Sequence, residues 1–226
     1  MLYTKVNDDQ MGGQGMDTVI TIGRQYGSGG REIGEKLAQA LSVKFYDKDL
    51  LKRAAKESGI CPELFENNDE KPTSSFLYNL VSDPYSFGVT SPYVEMPLSH
   101  KVFLAQFDTI KKIAAEGPCV IVGRCADYAL SEFDNTLSVF ISATTEARIE
   151  RLKSRHPDIK DEAKIKDMMI KADKSRANYY NYYSSKKWGR AYTYDLCVNS
   201  SVLGIDGTVD FIKSFVEKYE GNKGNQ

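Results

Sequence analysis

Residues 18–41, TVITIGRQYGSGGREIGEKLAQAL, join a β-branched run, a glycine-rich turn and a helical pattern. The run from Thr18 to Ile22 has the composition of a buried parallel strand. The glycines after it permit positive φ angles and let backbone N–H groups approach an anion. Apolar residues then recur at helical spacing, which predicts a helix that begins near Gly30 with its positive end facing the turn. The glycines of the turn are Gly27, Gly29, Gly30 and Gly34, and the apolar residues of the helix are Ile33, Leu37, Ala38 and Leu41.

The order of strand, glycine turn and helix predicts a cradle for phosphate groups. A turn that only lets the helix pack against the strand is the structural alternative. Ser28 and Glu32 carry the oxygen atoms that a magnesium ion would take in such a cradle. The candidate phosphate-binding residues are Tyr26, Gly27, Ser28, Gly29, Gly30, Arg31 and Glu32.

The turn departs from the P-loop pattern GxxxxGK[ST]. If Gly29 is the second glycine of that pattern, the first falls on Arg24, and the lysine falls on Gly30. The nearest cation after the turn is Arg31, one residue late. We expect Arg31 to fold back onto the terminal phosphates of a bound nucleotide, so that its replacement by alanine abolishes turnover.

Composition indicates an ordinary globular protein and excludes several classes of function. Of the 226 residues, 41% are hydrophobic and 27% charged, and the net charge of −1 gives no field that favours nucleic acid or an anionic membrane. The four cysteines form no CxxC pair, which favours reduced thiols, with Cys119 and Cys197 in the core. The sequence shows neither a membrane-length apolar run nor a signal-peptide core, so we expect a cytoplasmic protein.

The chain divides into a leader, one large domain and a tail. We predict a flexible leader over residues 1–17, a single domain over 18–219 and a polar tail over 220–226. Five of the prolines fall between 58 and 100, which predicts an insertion over the core that binds the acceptor. Its aromatic residues either stack on a base or only anchor the loop: they are Tyr85, Phe87 and Tyr93.

Four more strand-like runs alternate with helical patterns after residue 42. They cover Val43 to Tyr46, Cys119 to Val122, Thr136 to Ala143 and Tyr194 to Ser201. The alternation predicts an α/β fold with a five-stranded parallel sheet and helices on both faces. Ligands of such folds bind at the carboxyl ends of the strands, where the glycine turn lies.

Arginines are placed where phosphoryl transfer needs cations. The reaction requires a donor cradle, cations on the acceptor phosphate and cations that close over the transferring group. Arg53 and Arg124 are candidates for the acceptor phosphate. The segment between the fourth and fifth strands is a candidate lid, residues 148–190, and its candidate catalytic residues are Arg148, Arg151 and Arg176.

Five motifs in order resemble the cytidylate kinase-like family, a branch of the nucleoside monophosphate kinases: ITIGRQYGSGGREIG, FYDKDLL, VIVGRCAD, DKSRANYY and YDLCVNSS. The resemblance covers the chain from Thr18 to about Phe215. It implies a three-layer P-loop kinase fold with an acceptor-binding insertion and a lid. It also implies transfer of a phosphoryl group from ATP to a nucleoside monophosphate, with magnesium.

Some residues that bind the acceptor in the cytidylate kinase-like family are matched in this chain, and others are replaced. Arg53 and Asp47 match the arginine that holds the acceptor phosphate and the aspartate before its helix. Arg124 matches the arginine of a GRD motif, but a cysteine follows it where the family has aspartate. Asp173 and Arg176 match the DxxR of the lid. These departures affect the expected acceptor base more than the fold.

Three functions are therefore open. The first is a nucleoside monophosphate kinase that favours CMP. The second is a small-molecule kinase of the same fold with another acceptor, housed by the insertion. The third is a nucleotide-binding regulator without catalysis, which the altered P-loop favours. The sequence sets no oligomeric state.

Overall fold

The computed structural model describes residues 16–70 and 98–223. Residues 1–15 of the predicted leader, residues 71–97 of the predicted insertion and the last three residues of the tail lie outside this part. The predicted role of Tyr85, Phe87 and Tyr93 therefore falls outside the described residues, and the domain boundaries stay predictions.

Five strands form one parallel sheet in the order β2-β3-β1-β4-β5. This arrangement confirms the predicted fold class. β1 lies at the centre, so the glycine turn that follows it opens at the middle of the carboxyl edge. The strands are β1 Val19–Arg24, β2 Lys44–Tyr46, β3 Cys119–Val122, β4 Thr136–Ser142 and β5 Leu196–Asn199.

Helices connect the strands, and α1 begins at the glycine where the sequence predicts it. The short helix α5 and a 3-10 turn at Ala191–Thr193 are not predicted by the sequence. The α-helices are α1 Gly30–Ala40, α2 Lys48–Ser58, α3 Pro62–Asn68, α4 Leu98–Ala115, α5 Ala126–Ala129, α6 Thr145–Arg155, α7 Glu162–Ser184 and α8 Ser200–Lys223.

Helices cover both faces of the sheet, as predicted. Alternate residues of a strand point to opposite faces, and β1 divides accordingly. Val19 packs with residues of α2, α3, α4 and α5, whereas Ile20 and Ile22 pack with residues of α1 and α8. Two apolar cores on opposite faces hold the carboxyl edge of the sheet in place.

The carboxyl-terminal helix follows the last strand directly. α8 starts at Ser200, within the strand-like run predicted over Tyr194 to Ser201, and bends at Gly204, whose φ is 69°. Cys197 is exposed because β5 is an edge strand, so its predicted place in the core is wrong, whereas Cys119 is buried. Among the described helices, none has the length and apolar character needed to cross a membrane.

Candidate active site

The glycine loop, residues 25–29, joins β1 to α1 and has the backbone of an anion-binding turn. Gly27 and Gly29 both have φ of 81°, which favours glycine. Ser28 N donates to Gln25 O at 3.2 Å, while the Gly27 and Gly29 amides have no hydrogen-bond partner in the described ranges. Free amides at the positive end of α1 suit a bound anion.

Side chains from the predicted lid hold the loop from outside. Arg148 Nε donates to Tyr26 O at 2.7 Å, and Arg151 donates to Gly27 O at 2.8 Å. Asp173 accepts from Tyr26 N at 2.7 Å and pairs with Arg148. The sequence predicts that the two arginines and the Tyr26 amide contact phosphate. In the structure the two arginines bind carbonyl oxygens of the loop, and the Tyr26 amide donates to Asp173.

The residues predicted to bind magnesium do not fit that role. Ser28 is buried, and its hydroxyl donates to Gln25 O at 2.9 Å and accepts from Gly30 N at 3.3 Å. The Glu32 carboxylate faces outward, within 3.7 Å of Lys36. Within residues 16–70 and 98–223, no group of three or more His, Cys, Asp or Glu residues could hold a metal ion. We therefore derive no step through a protein-bound metal.

Two arginines lie elsewhere than the sequence predicts. Arg31 Nε pairs with Asp47 at 2.7 Å, so its guanidinium points to the end of β2 rather than over the loop. Arg53 pairs with Glu57 at 2.7 Å and with Glu116 at 2.5 Å. Glu116 lies three residues before the start of β3, at the end of the sheet opposite the glycine loop. The structure does not bring Arg53 to the other acceptor candidates.

Arg124 lies at the carboxyl end of β3 and forms the buried centre of an ion-pair network. Its side chain is 1% exposed. Its guanidinium donates two hydrogen bonds of 2.8 Å to Asp69 and one of 3.2 Å to Asp47. Asp47 and Arg124, both predicted from the sequence, are therefore in contact.

Glu70 joins three arginines at the same edge. Its carboxylate pairs with Arg24 at 2.5 Å and with Arg176 at 3.2 Å, and it accepts from Arg124 N at 3.0 Å. We call Arg24, Arg124 and Arg176 the arginine cluster. Sequence reasoning missed Arg24, Asp69 and Glu70, although an arginine at a P-loop glycine position was a visible signal.

A narrow pocket with a cavity volume of about 20 Å³ opens beside the arginine cluster. Its lining includes polar groups: Thr21 Oγ1 is buried without a hydrogen-bond partner among the described residues, and Tyr180 donates to Asp127 at 2.5 Å. Aromatic side chains line it as well. The lining thus combines cations, polar groups and rings. Further lining residues are Cys125, Tyr179, Trp188 and Tyr194.

The ion pairs of Glu70 make the free energy of unfolding depend on pH in the acid range. Burial opposes ionisation of this carboxyl, but Arg24 and Arg176 outweigh burial and hold its pKa well below 4.5. Because the Glu70 pKa is lower in the folded state than in the unfolded chain, the ionised carboxylate stabilises the folded state at pH values above the pKa of the unfolded chain. This stabilisation is lost as the pH falls toward the pKa of the folded state. We expect the free energy of unfolding to fall more steeply between about pH 5 and pH 3 in the wild type than in Glu70→Gln.

Urea unfolding at both pH values measures this difference. Glu132→Gln is the matched control, because the Glu132 side chain is 83% exposed. We expect this control to follow the wild type. Equal slopes for the wild type and Glu70→Gln would contradict the assignment of the acid-sensitive ion pairs to Glu70.

Comparison with known proteins bears on this site. The sequence model described as the cytidylate kinase-like family matches residues 19–202, which include the glycine loop and the arginine cluster. The chain belongs to this family. Membership in the cytidylate kinase-like family supports a kinase and leaves the acceptor open. No match was found among curated proteins.

Solved structures include similar folds. An uncharacterized protein from Eubacterium ventriosum is 29% identical, with a TM-score of 0.66 over 88% of this chain and 98% of the other. A shikimate kinase from Bacteroides thetaiotaomicron is 16% identical, with a TM-score of 0.48 over 88% and 98%. A shikimate kinase from Aquifex aeolicus is 17% identical, with a TM-score of 0.44 over 92% and 100%.

Proposed function

We propose that the protein transfers the γ-phosphoryl group of ATP to a nucleoside monophosphate, with CMP as the favoured acceptor. One observation carries the proposal. The glycine loop after β1 and the arginine cluster beside β3 lie at neighbouring strand ends, since β1 pairs with β3. Two anion sites side by side are what transfer between two phosphates requires.

The glycine loop is the donor site in this proposal. Its free amides and the positive end of α1 bind the phosphates of ATP. Arg148 and Arg151 keep the loop open by binding the carbonyl oxygens of Tyr26 and Gly27. A preformed loop lowers the cost of ordering when the nucleotide binds.

The pocket beside the arginine cluster is the acceptor site, and it must widen to admit a nucleotide, because about 20 Å³ holds little more than one water molecule. Arg124 and Arg176 line it and suit the acceptor phosphate, which a guanidinium binds through two parallel hydrogen bonds. The phosphate competes with Asp69 for Arg124. The polar and aromatic residues of the lining suit a base and its sugar. Asp173, which matches the DxxR of the lid, is not among the residues that line this pocket and is bonded to Tyr26 N and Arg148, so it is left out of the acceptor contacts.

The proposed reaction has one chemical step. An oxygen of the acceptor phosphate attacks the γ-phosphorus, the bond to the bridging oxygen breaks, and ADP leaves with that electron pair. Magnesium carried by the nucleotide would supply charge neutralisation on the phosphates. The guanidinium groups of the arginine cluster stabilise the charge that develops between donor and acceptor.

A coupled assay of ADP release tests the proposal. Purified protein is supplied with ATP, magnesium and one of CMP, dCMP, UMP, AMP or GMP, and a reaction without acceptor measures background hydrolysis. We expect turnover above background, fastest with CMP. Background rates with all five acceptors would remove the proposal of a nucleoside monophosphate kinase.

A kinase with a different acceptor is the second candidate. Cys125 stands where the resemblance expects an aspartate, and it is buried beside the pocket. A wider screen of phosphate- and carboxylate-bearing acceptors separates this candidate from the first. ATP binding without turnover of any acceptor would favour a silent regulator instead.

A further inference from the structure

Two positions of the glycine loop have exchanged residue types relative to the P-loop pattern. The pattern GxxxxGK[ST] places a glycine at position 24 and a lysine at position 30. This chain has Arg24 and Gly30. The two positions that flank the glycine loop therefore still hold one glycine and one cation, but each stands where the pattern has the other.

The structure gives a steric reason for the exchange. A Cβ atom built on Gly30 would lie 2.5 Å from Arg24 Cβ and 3.1 Å from Arg24 Cγ. The first distance is well below van der Waals contact, so the two positions face each other and share one space. Only one of them can carry a long side chain, and in this chain Arg24 fills that space.

The Arg24 side chain runs from Gly30, at the start of α1, to Gly123, just past β3. A Cβ atom built on Gly123, just past β3, would overlap the Arg24 guanidinium and the Glu70 carboxylate. Arg24 lines the acceptor pocket, and its side chain is only 13% exposed. Its carbonyl accepts from Arg176 at 3.3 Å, which ties the strand end to the arginine cluster.

We infer that Arg24 binds the terminal phosphates of the nucleotide in place of the missing P-loop lysine. This inference rests on the proposed function, in which the glycine loop binds ATP. It also replaces the sequence-based expectation for Arg31, whose guanidinium pairs with Asp47. Arg24 reaches the site from the strand before the loop, whereas a P-loop lysine reaches it from the helix after the loop.

In the structure Arg24 is paired with Glu70, and this ion pair does not prevent Arg24 from binding the terminal phosphates. When Arg24 moves to a triphosphate, Glu70 keeps its ion pair with Arg176 at 3.2 Å and its hydrogen bond from Arg124 N at 3.0 Å. The carboxylate is therefore not left without partners. A triphosphate carries more negative charge than one carboxylate and competes for the guanidinium.

Calorimetry with ATP and with AMP, each with magnesium, tests the inference on Arg24→Gln. We expect ATP affinity to fall by about 10- to 100-fold, because a hydrogen-bonded charge is lost from the phosphates. AMP is titrated with the acceptor pocket saturated by CMP, so that it binds only at the glycine loop; because it lacks the terminal phosphates, its affinity there should change by less than about threefold. Arg31→Gln is the matched control, and its ATP affinity should stay within about threefold of the wild type.

Reversing the exchange gives a second test. Arg24→Gly should lose ATP affinity as Arg24→Gln does, and Gly30→Lys should lose stability because two side chains compete for one space. The double variant Arg24→Gly with Gly30→Lys restores the standard pattern. We expect it to regain ATP affinity to within about fivefold of the wild type, whereas additive losses are expected for unrelated sites.

Three results would overturn the inference. The first is unchanged ATP affinity in Arg24→Gln, and the second is a folded double variant that binds ATP no better than Arg24→Gly. The third is an equal loss of ATP and AMP affinity, which indicates a purely structural role. If the double variant does not fold, the ratio of ATP to AMP affinity in Arg24→Gln decides. If the wild-type protein binds no ATP, the proposed function fails together with the inference. If the wild type binds ATP and Arg24→Gln binds it equally well, only the inference fails.

Discussion

Replacing Arg124 by methionine is expected to lower the free energy of unfolding by about 3–5 kcal/mol. The Arg124 side chain is 1% exposed and pairs with Asp47 and Asp69. Methionine leaves both carboxylates beside the core without that cation, and desolvated charge without a partner is costly. Urea unfolding at neutral pH measures the loss.

Arg53→Met is the matched control for this prediction. Arg53 also pairs with two carboxylates, Glu57 and Glu116, but its side chain is 29% exposed. Exposed ion pairs contribute about 0–1 kcal/mol, so the control should lose little stability. Similar losses in the two variants would contradict the account of Arg124 as the buried centre of the network.

Arg176→Gln is expected to lower kcat/KM for the acceptor by about 100- to 1000-fold. Arg176 is the member of the arginine cluster on α7. Its side chain pairs with Glu70 and is 18% exposed. Removing its charge takes away one of the cations that stabilise the transferring phosphoryl group. Steady-state kinetics with ATP and CMP measure the change.

The control for this change is Arg155→Gln. Arg155 ends α6 and is 45% exposed, so its loss should alter kcat/KM by less than about twofold. Circular dichroism of both variants confirms that they are folded. An Arg176→Gln enzyme with wild-type kcat/KM would remove Arg176 from the acceptor site.

Strand and helix order could be predicted because local patterns fix them. The β-branched runs became β1 and β3, and the glycines marked the start of α1 at Gly30. The carboxyl edge then followed from the parallel topology, which brought Asp47 and Arg124 into contact. These two residues lie far apart in sequence, yet the strand-end rule was enough to group them. Arg176 lies within α7, and it was predicted from the candidate lid and the DxxR resemblance.

The partners of the arginines could not be predicted in the same way. Asp69 and Glu70 follow α3, and nothing in the residues around them indicates that they fold back onto Arg24 and Arg124. Arg31 is the nearest cation after the glycine loop, one residue past the expected position, but Asp47 at the end of β2 is close enough to bind it. Ion pairs depend on distances between helices and strands in the folded protein, and the periodicity of a sequence gives no information about those distances.

The central claim is that the glycine loop binds the phosphates of ATP. The most direct measurement is a crystal structure of the protein with a non-hydrolysable ATP analogue, magnesium and CMP. We predict that the terminal phosphates lie within hydrogen-bond distance of the Gly27 and Gly29 amides, with the CMP phosphate at Arg124 and Arg176. A nucleotide bound elsewhere, with the glycine loop closed over its own side chains, would contradict the account.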